Sequence, residues 1–361
     1  MKNPYLYPLY IILFVFILDK VACIPNFRDL GKRDYKAGQN VILGLDAVWK
    51  ENQERQKNGN HVAVVTGSSR SEIFHLWKNI PLDTNLSRNE IYFETRTAVK
   101  AAELLYMYMV VDSMRQAGFR PNVLFLEFSE EMFNLNSPRS FDSAWNEMIL
   151  NEEQLIEAVP FLKGKYFRDG LFQILFPSYH YHFQPIKALS GGNKSSNDVA
   201  QYYINLASLQ NHKRDFTKAE EGFADQNFPI SEYQTRIVSY TNELFKNFLM
   251  RNYKYSPYEE SIFALLVHHI EKNKIPTVIW EPQIHPYYQN LRAQKTGGAL
   301  FENLTKKYVD PNSKYIRVLS LNNKNTKCTT YTDSSHVSPI CVPEIANQLL
   351  KVAKDIDSIK E

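Results

Sequence analysis

Cysteine is scarce in this chain, with three residues in 361: Cys23, Cys328 and Cys341. So few exclude a disulfide-stapled miniature fold, and stability falls to a hydrophobic core, which a chain of this length can bury. An excess of charge of one sign is missing as well. The 42 Lys and Arg against 39 Asp and Glu leave a net +3, too little to argue for nucleic acid or for an anionic membrane surface. Unbroken apolar runs are short: the longest, residues 8–18, falls below the ~20 residues of a typical membrane span. Aromatic side chains, by contrast, make up 13% of the chain. They suit a carbohydrate-handling surface and a large core equally, so composition leaves that choice open.

Residues 5–24 form an apolar segment broken only by Asp19 and Lys20, with Lys2 ahead of it. The segment reads as a retained signal-anchor, its Asp-Lys pair near the outer interface, ahead of a cleaved export signal. A lipidation box at Cys23 ranks last, because Lys20 occupies a position that wants an apolar residue. All three place the rest of the chain outside the cytoplasm; a buried helix is the remaining alternative. Residues 25–60 read as a linker and a helix over about 42–57, and residues 61–361 as one domain.

Within that domain, residues 62–66, 91–93 and 123–128 are short apolar or β-branched runs. A helix over 97–117, stopped by Gly118, separates the last two. The alternation predicts βαβ units and a parallel sheet. The pattern lapses over about 129–255, which reads as a mainly helical insertion covering the carboxyl ends of the strands, with a polar loop at 190–197. Tyr179-His180-Tyr181-His182 lies inside it. Two histidines at i and i+2 lack a third metal ligand, so stacking or packing is the preferred role, and the tyrosines are expected beside the cleft. Regularity returns at Ser256-Pro257-Tyr258-Glu259, a helix start, followed by strands at 277–280 and 315–319 and a terminal helix from about 344.

The stretch His61 to Phe74 reads HVAVVTGSSRSEIF. It predicts a buried strand, a tight turn and a helix start, with Ser69 exposed at the corner. Such a serine suits nucleophilic attack, because backbone N–H groups there can meet an oxyanion. Ser69-x-x-Glu72 is equally a capping box, in which the hydroxyl only satisfies an orphan N–H. Near the other end stands Cys328-Thr-Thr-Tyr-Thr-Asp333-Ser334-Ser335-His336, closed by Cys341. Asp333 and His336, at i and i+3, can meet across one turn, the carboxylate fixing the imidazole tautomer. The alternative is a solvated loop with an Asp–His hydrogen bond and no catalysis.

Together, the Gly67-Ser68-Ser69-Arg70-Ser71 corner and the D-x-x-H motif before the final helix resemble the SGNH (GDSL-type) hydrolase superfamily. The Ile17-Leu18-Asp19-Lys20 segment, the same serine corner and the cysteine-flanked DSSH resemble more closely an SGNH-like spirochaete family of unknown function with an N-terminal membrane anchor. A more distant resemblance is to exported SGNH-like proteins that handle acyl groups alongside membrane-bound O-acyltransferases. The superfamily likeness covers residues 61–128 and 277–357. It implies an α/β fold: a three-layer α/β/α sandwich around a five-stranded parallel sheet of order 2-1-3-4-5. It also implies Ser69 as nucleophile, His336 as base and Asp333 as its partner. The sequence departs from the superfamily where Ser68 replaces the usual aspartate and where the glycine and asparagine oxyanion donors are missing. Arg96 or the Ser129 hydroxyl is then the expected substitute donor beside the Ser69 N–H, with Ser68 and Arg70 as further oxyanion or substrate contacts.

The reading is an exported serine esterase or O-acyltransferase on the periplasmic side of the inner membrane. It acts through an acyl-enzyme on an acylated glycan or lipid of the cell envelope. The likeness also suggests a membrane-bound O-acyltransferase as partner. The pattern asks for no cofactor and no metal. A non-catalytic accessory or binding module of an envelope acylation complex is the alternative, and a scaffold whose serine corner is only a cap is the third. Export into an oxidising compartment predicts a Cys328–Cys341 disulfide around Asp333 and His336, against two free buried thiols.

Overall fold

Five runs of β-branched and aromatic residues form the centre of the molecule. In the computed structural model they are β1 (His61–Gly67), β2 (Ile91–Thr97), β3 (Val123–Glu127), β4 (Thr277–Glu281) and β5 (Ile316–Ser320). The structure describes residues 6–20, 45–76, 91–97, 104–137, 150–184, 230–247, 249–322 and 333–356, with 24, 26, 145, 186, 189, 326–328, 330 and 331 between them. All neighbouring strands pair in parallel, in the order β2-β1-β3-β4-β5. The fold is the expected α/β three-layer arrangement.

Because side chains alternate across a strand, each strand feeds two cores. Val62, Val64, Leu124, Leu126 and Ile279 face one core. It is shared with α2 (Leu45–Lys57), α3 (Leu104–Gln116), α8 (Pro257–Lys272) and α10 (Leu300–Tyr308). Ala63, Val65, Phe125, Val278 and Trp280 face the other, filled by Val342, Ile345, Ala346 and Leu349 of α11 (Val342–Ala353). Burial on both faces explains why β3 and β4 read as continuous apolar runs rather than as alternating ones.

Among the described residues the other α-helices are α1 (Tyr7–Asp19), α4 (Glu152–Ala158), α5 (Gly164–Leu175), α6 (Pro177–His180), α7 (Ile230–Lys246) and α9 (Pro286–Thr296). The Ser256 hydroxyl accepts from Glu259 N–H at the start of α8, as its sequence requires. Gly297, at φ 84°, ends α9 in the left-handed region that favours glycine. After β1 the chain makes a tight turn and enters a helix, which over Ser71–Leu76 is of the 3₁₀ type. The Ser71 N–H bonds to Ser68 O, an i to i+3 closure that tightens the turn. The polar loop at 190–197, Cys23 and most of the linker lie outside the described residues.

In this strand order the chain leaves β1 for β2 on one side and returns to β3 on the other. That reversal opens a crevice at the carboxyl ends of β1 and β3, where open α/β sheets place their ligands.

Candidate functional site

The crevice begins with a close approach of two strand ends. A Cβ on Gly67 would stand 2.4 Å from Glu127 Oε2 and 2.4 Å from Ser71 Oγ, so only glycine fits at the end of β1. Glu127, at the end of β3 and 1% exposed, occupies that space. Its carboxylate accepts from Ser68 N–H (2.9 Å), from Ser68 Oγ (2.5 Å) and from Ser71 Oγ (2.6 Å). The turn is pinned on both sides of Ser69 while Ser69 itself stays exposed.

Ser69 Oγ lies 2.7 Å from His336 Nε2. On the far side of the ring, His336 Nδ1 is 2.9 Å and 2.8 Å from the two Asp333 oxygens. A proton on Nδ1 satisfies that carboxylate and leaves the Nε2 lone pair to accept from the Ser69 hydroxyl. Burial opposes ionisation of Asp333. The His336 hydrogen bond and charge, and the Ser335 and His336 backbone N–H groups, outweigh it and hold the carboxyl below its ordinary pKa. Such a row of hydroxyl, imidazole and carboxylate can remove the proton from the serine as it attacks an electrophilic carbon. The Ser69 hydroxyl is turned to His336.

Arg70, 6% exposed, joins the serine turn to the histidine loop. Its Nε donates to Ser335 O at 3.0 Å, and its two terminal nitrogens donate to Ser129 Oγ and, at 2.8 Å, to Glu131 Oε1. Burial disfavours the Arg70 cation, but the Glu131 and Glu127 carboxylates more than compensate and keep it charged. Glu131 in turn accepts from Ser129 and from Tyr288 Oη and lies 3.7 Å from Arg292. Its burial is outweighed by Arg70 and Arg292, which hold its pKa far down. Arg292 completes the set at 2.8 Å from Glu281, the last residue of β4.

These contacts relocate two of the residues proposed as oxyanion donors. Arg96 pairs with Glu94 at 2.7 Å, on the face of β2 turned to Trp49 of α2. A residue two positions from Glu94 shares its side of the strand, which directs Arg96 toward that pairing. The Ser129 hydroxyl is spent between Arg70 and Glu131. Ser68 serves Glu127, and Arg70 serves Ser335, Ser129 and Glu131, so both build the site's frame.

The loop carrying Asp333 and His336 is fastened at several points. Cys328 and Cys341 form a disulfide, with Cα atoms 5.5 Å apart. Tyr331 and Val337 make an antiparallel bridge inside it. Gln283, just beyond β4, donates to Cys328 O (2.9 Å) and Tyr331 Oη (2.8 Å), and His285 N–H donates to Ser334 O (3.0 Å). The Glu344 carboxylate of α11 accepts from Lys327 and Cys328 N–H. From the segment between β3 and α8, α7 sets the Tyr240 ring 6.1 Å from that of His336. Tyr179 and Tyr181 take part elsewhere: Tyr179 donates to Asp169 and packs on Phe172, and Tyr181 reaches Glu152. Among the described residues no group of His, Cys, Asp and Glu is arranged to hold a metal ion.

A family model described as protein of unknown function, DUF1574, matches residues 1–352. The chain belongs to that family. No curated protein matches it. Tyr240, Glu127, Glu131, Tyr288 and Arg292 were not singled out from sequence. One signal was available for Glu127, since an acid closing an apolar strand has to find buried donors.

Proposed function

We propose that this protein is an SGNH-like serine esterase or O-acyltransferase acting on acyl groups of a cell-envelope glycan or lipid. The observation that carries this reading is the 2.7 Å contact from Ser69 Oγ to His336 Nε2 with Asp333 behind the ring. Ser69 Oγ attacks the acyl carbonyl carbon while His336 Nε2 takes its proton. The tetrahedral adduct collapses, the ester C–O bond breaks, and His336 returns the proton to the departing alkoxide. Water or an acceptor hydroxyl then attacks the acyl-serine, again through His336, and frees Ser69. Asp333 keeps Nδ1 protonated and balances the imidazolium. The backbone N–H of Ser69 is the oxyanion donor offered by the turn. With Arg96 and Ser129 engaged elsewhere, one donor fewer lowers the rate by about 10² or more. In this reading the N-terminal segment anchors the protein at the inner membrane, the domain faces the periplasm, and a membrane-bound O-acyltransferase is its partner.

A second reading, a non-catalytic module of an acylation complex, draws on that same engagement of Arg96 and Ser129. A fluorophosphonate probe on the full chain in detergent separates the two. Labelling of the wild type that disappears in Ser69→Ala supports the enzyme. A folded wild type that stays unlabelled leaves the accessory module.

A further inference from the structure

We infer that the outer face of α5 rests against a lipid bilayer and forms, with α1, one continuous membrane-contacting surface. The inference rests on the reading of α1 as a membrane-embedded segment, and extends it to the folded body. No residue of α1 is buried, and its side chains are among the most exposed apolar groups of the protein, Ile12 at 66% and Phe14 at 61%. Among the described residues no helix is long and apolar enough to cross a membrane. At 1.5 Å per residue the described part of α1 is ~20 Å long, against a hydrocarbon core of ~30 Å.

The lower end of α1 meets the body without a spacer. The Ser178 N–H donates to Asp19 Oδ1 at 3.1 Å, Lys20 donates to the Leu175 carbonyl, and the Phe16 ring lies 6.1 Å from that of Phe176. All three contacts fall where α5 passes into α6. Wherever α1 enters lipid, the end of α5 is therefore at the boundary.

The composition of α5 fits that position. A helix on the surface of a soluble protein turns its polar side outward. On α5 the inward side is already packed: a Cβ on Gly170 would come within 2.8 Å of Val159 and 3.3 Å of Leu162. Yet the outward side is also apolar. Phe167, Leu171, Phe172 and Leu175 are 39%, 40%, 45% and 53% exposed, and at 3.6 residues per turn they lie within an arc of ~140°. Arg168 falls inside the same arc, and Lys163 stands exposed just before the helix. Apolar side chains framed by basic ones are the pattern of a helix lying in the headgroup region, with cations for anionic lipid. A second protein would not require the cations to share the face with the base of α1, and so the bilayer is the occupant favoured.

The test uses the full chain with Cys23→Ser, a nitroxide on Phe172→Cys or, in case that label distorts the helix, on Leu175→Cys. The protein is placed in vesicles of equimolar phosphatidylcholine and phosphatidylglycerol. Matched labels at Phe14→Cys and Lys314→Cys report α1 and an exposed body position. Relative to Lys314, the α5 labels should collide several-fold more with oxygen and several-fold less with a water-soluble nickel chelate. Labels on α5 as water-accessible as Lys314, with Phe14 in lipid, would overturn the inference and leave the anchor standing. Phe14 in water as well would remove both. Labels on α5 shielded from oxygen and nickel alike would mean that protein covers this face, which also overturns it.

Discussion

Arg70 Nε donates to the Ser335 carbonyl at 3.0 Å, so the residue following Ser69 is bonded to the residue preceding His336. The distance between hydroxyl and imidazole is thereby set by a buried cation held by Glu131, rather than by the mobility of two loops. Breaking a buried ion pair by removing one partner typically costs about 3–5 kcal/mol, because the other charge is stranded. Arg70→Met should lower unfolding free energy by that order, and Arg70→Met with Glu131→Gln should recover part of it. Denaturant unfolding measures both; a double variant no more stable than the single would reject the coupling.

Asp333→Asn removes the acceptor that keeps the proton on His336 Nδ1. Fluorophosphonate labelling of Ser69 should slow by up to ~10⁴, with the thermal midpoint little changed because the side chain is of similar size. Retained labelling at the wild-type rate would remove Asp333 from the row.

Gly67→Ala should damage both stability and the site. The added methyl would meet Glu127 Oε2 and Ser71 Oγ at 2.4 Å each, which forces the carboxylate off the Ser68 N–H. Overpacking of this kind costs about 1–3 kcal/mol. A crystal structure of the variant with an unmoved Glu127 and full stability would contradict the account.

Thiol titration of the denatured, unreduced chain should find Cys23 alone, since Cys328 and Cys341 are bonded to each other. Reduction should destabilise the chain by ~3 kcal/mol in the loop-entropy model. It should also slow Ser69 labelling, because the bridge brackets Asp333 and His336. Three reactive thiols would exclude the bridge.

Acid sensitivity has a source far from the crevice. Burial works against the Glu157 carboxylate, but hydrogen bonds from Lys272, Tyr108 and His269 and the His269 charge bring it down to about 2 from 4.5. Its folded pKa is depressed, so the stabilisation is complete above the unfolded value of 4.5 and is lost as pH falls toward 2. The neighbouring His269, whose pKa burial lowers, acts with the same sign: it resists protonation in the folded state. Denaturant titrations of the wild type should show stability falling across this range, and Glu157→Gln should flatten the slope. An unchanged slope would point to other carboxylates.

The fold was legible because its central strands β1, β3 and β4 are buried on both faces and announce themselves as apolar runs, with Gly67 closing the first and Pro121-Asn122 opening the second, while Ser256-Pro257 marks the start of α8. Ser69 and Asp333-x-x-His336 were legible because each is a local pattern whose chemistry depends on spacing. What escaped is non-local. Whether Arg96 faces the crevice or Glu94 depends on which side of β2 is turned to α2. The partnership of Arg70 with Glu131 and with Tyr288 and Arg292 of α9 spans three separate segments, and no periodicity in any one of them records it. The 3₁₀ character of the helix after β1 was not legible for a related reason: Glu127 captures Ser68 and Ser71, a tertiary demand that no local pattern records.

Ser69 and His336 are separated by 267 positions along the chain. While the polypeptide is being made, the serine emerges early and meets only an incomplete sheet. At that stage its hydroxyl is an ordinary alcohol. The imidazole, the carboxylate and both cysteines of the bridge arrive together, after the last strand. The order of the chain thus acts as a timer: no unfinished copy carries the assembled pair, and whatever chemistry Ser69 performs is withheld until the sheet that holds it is complete.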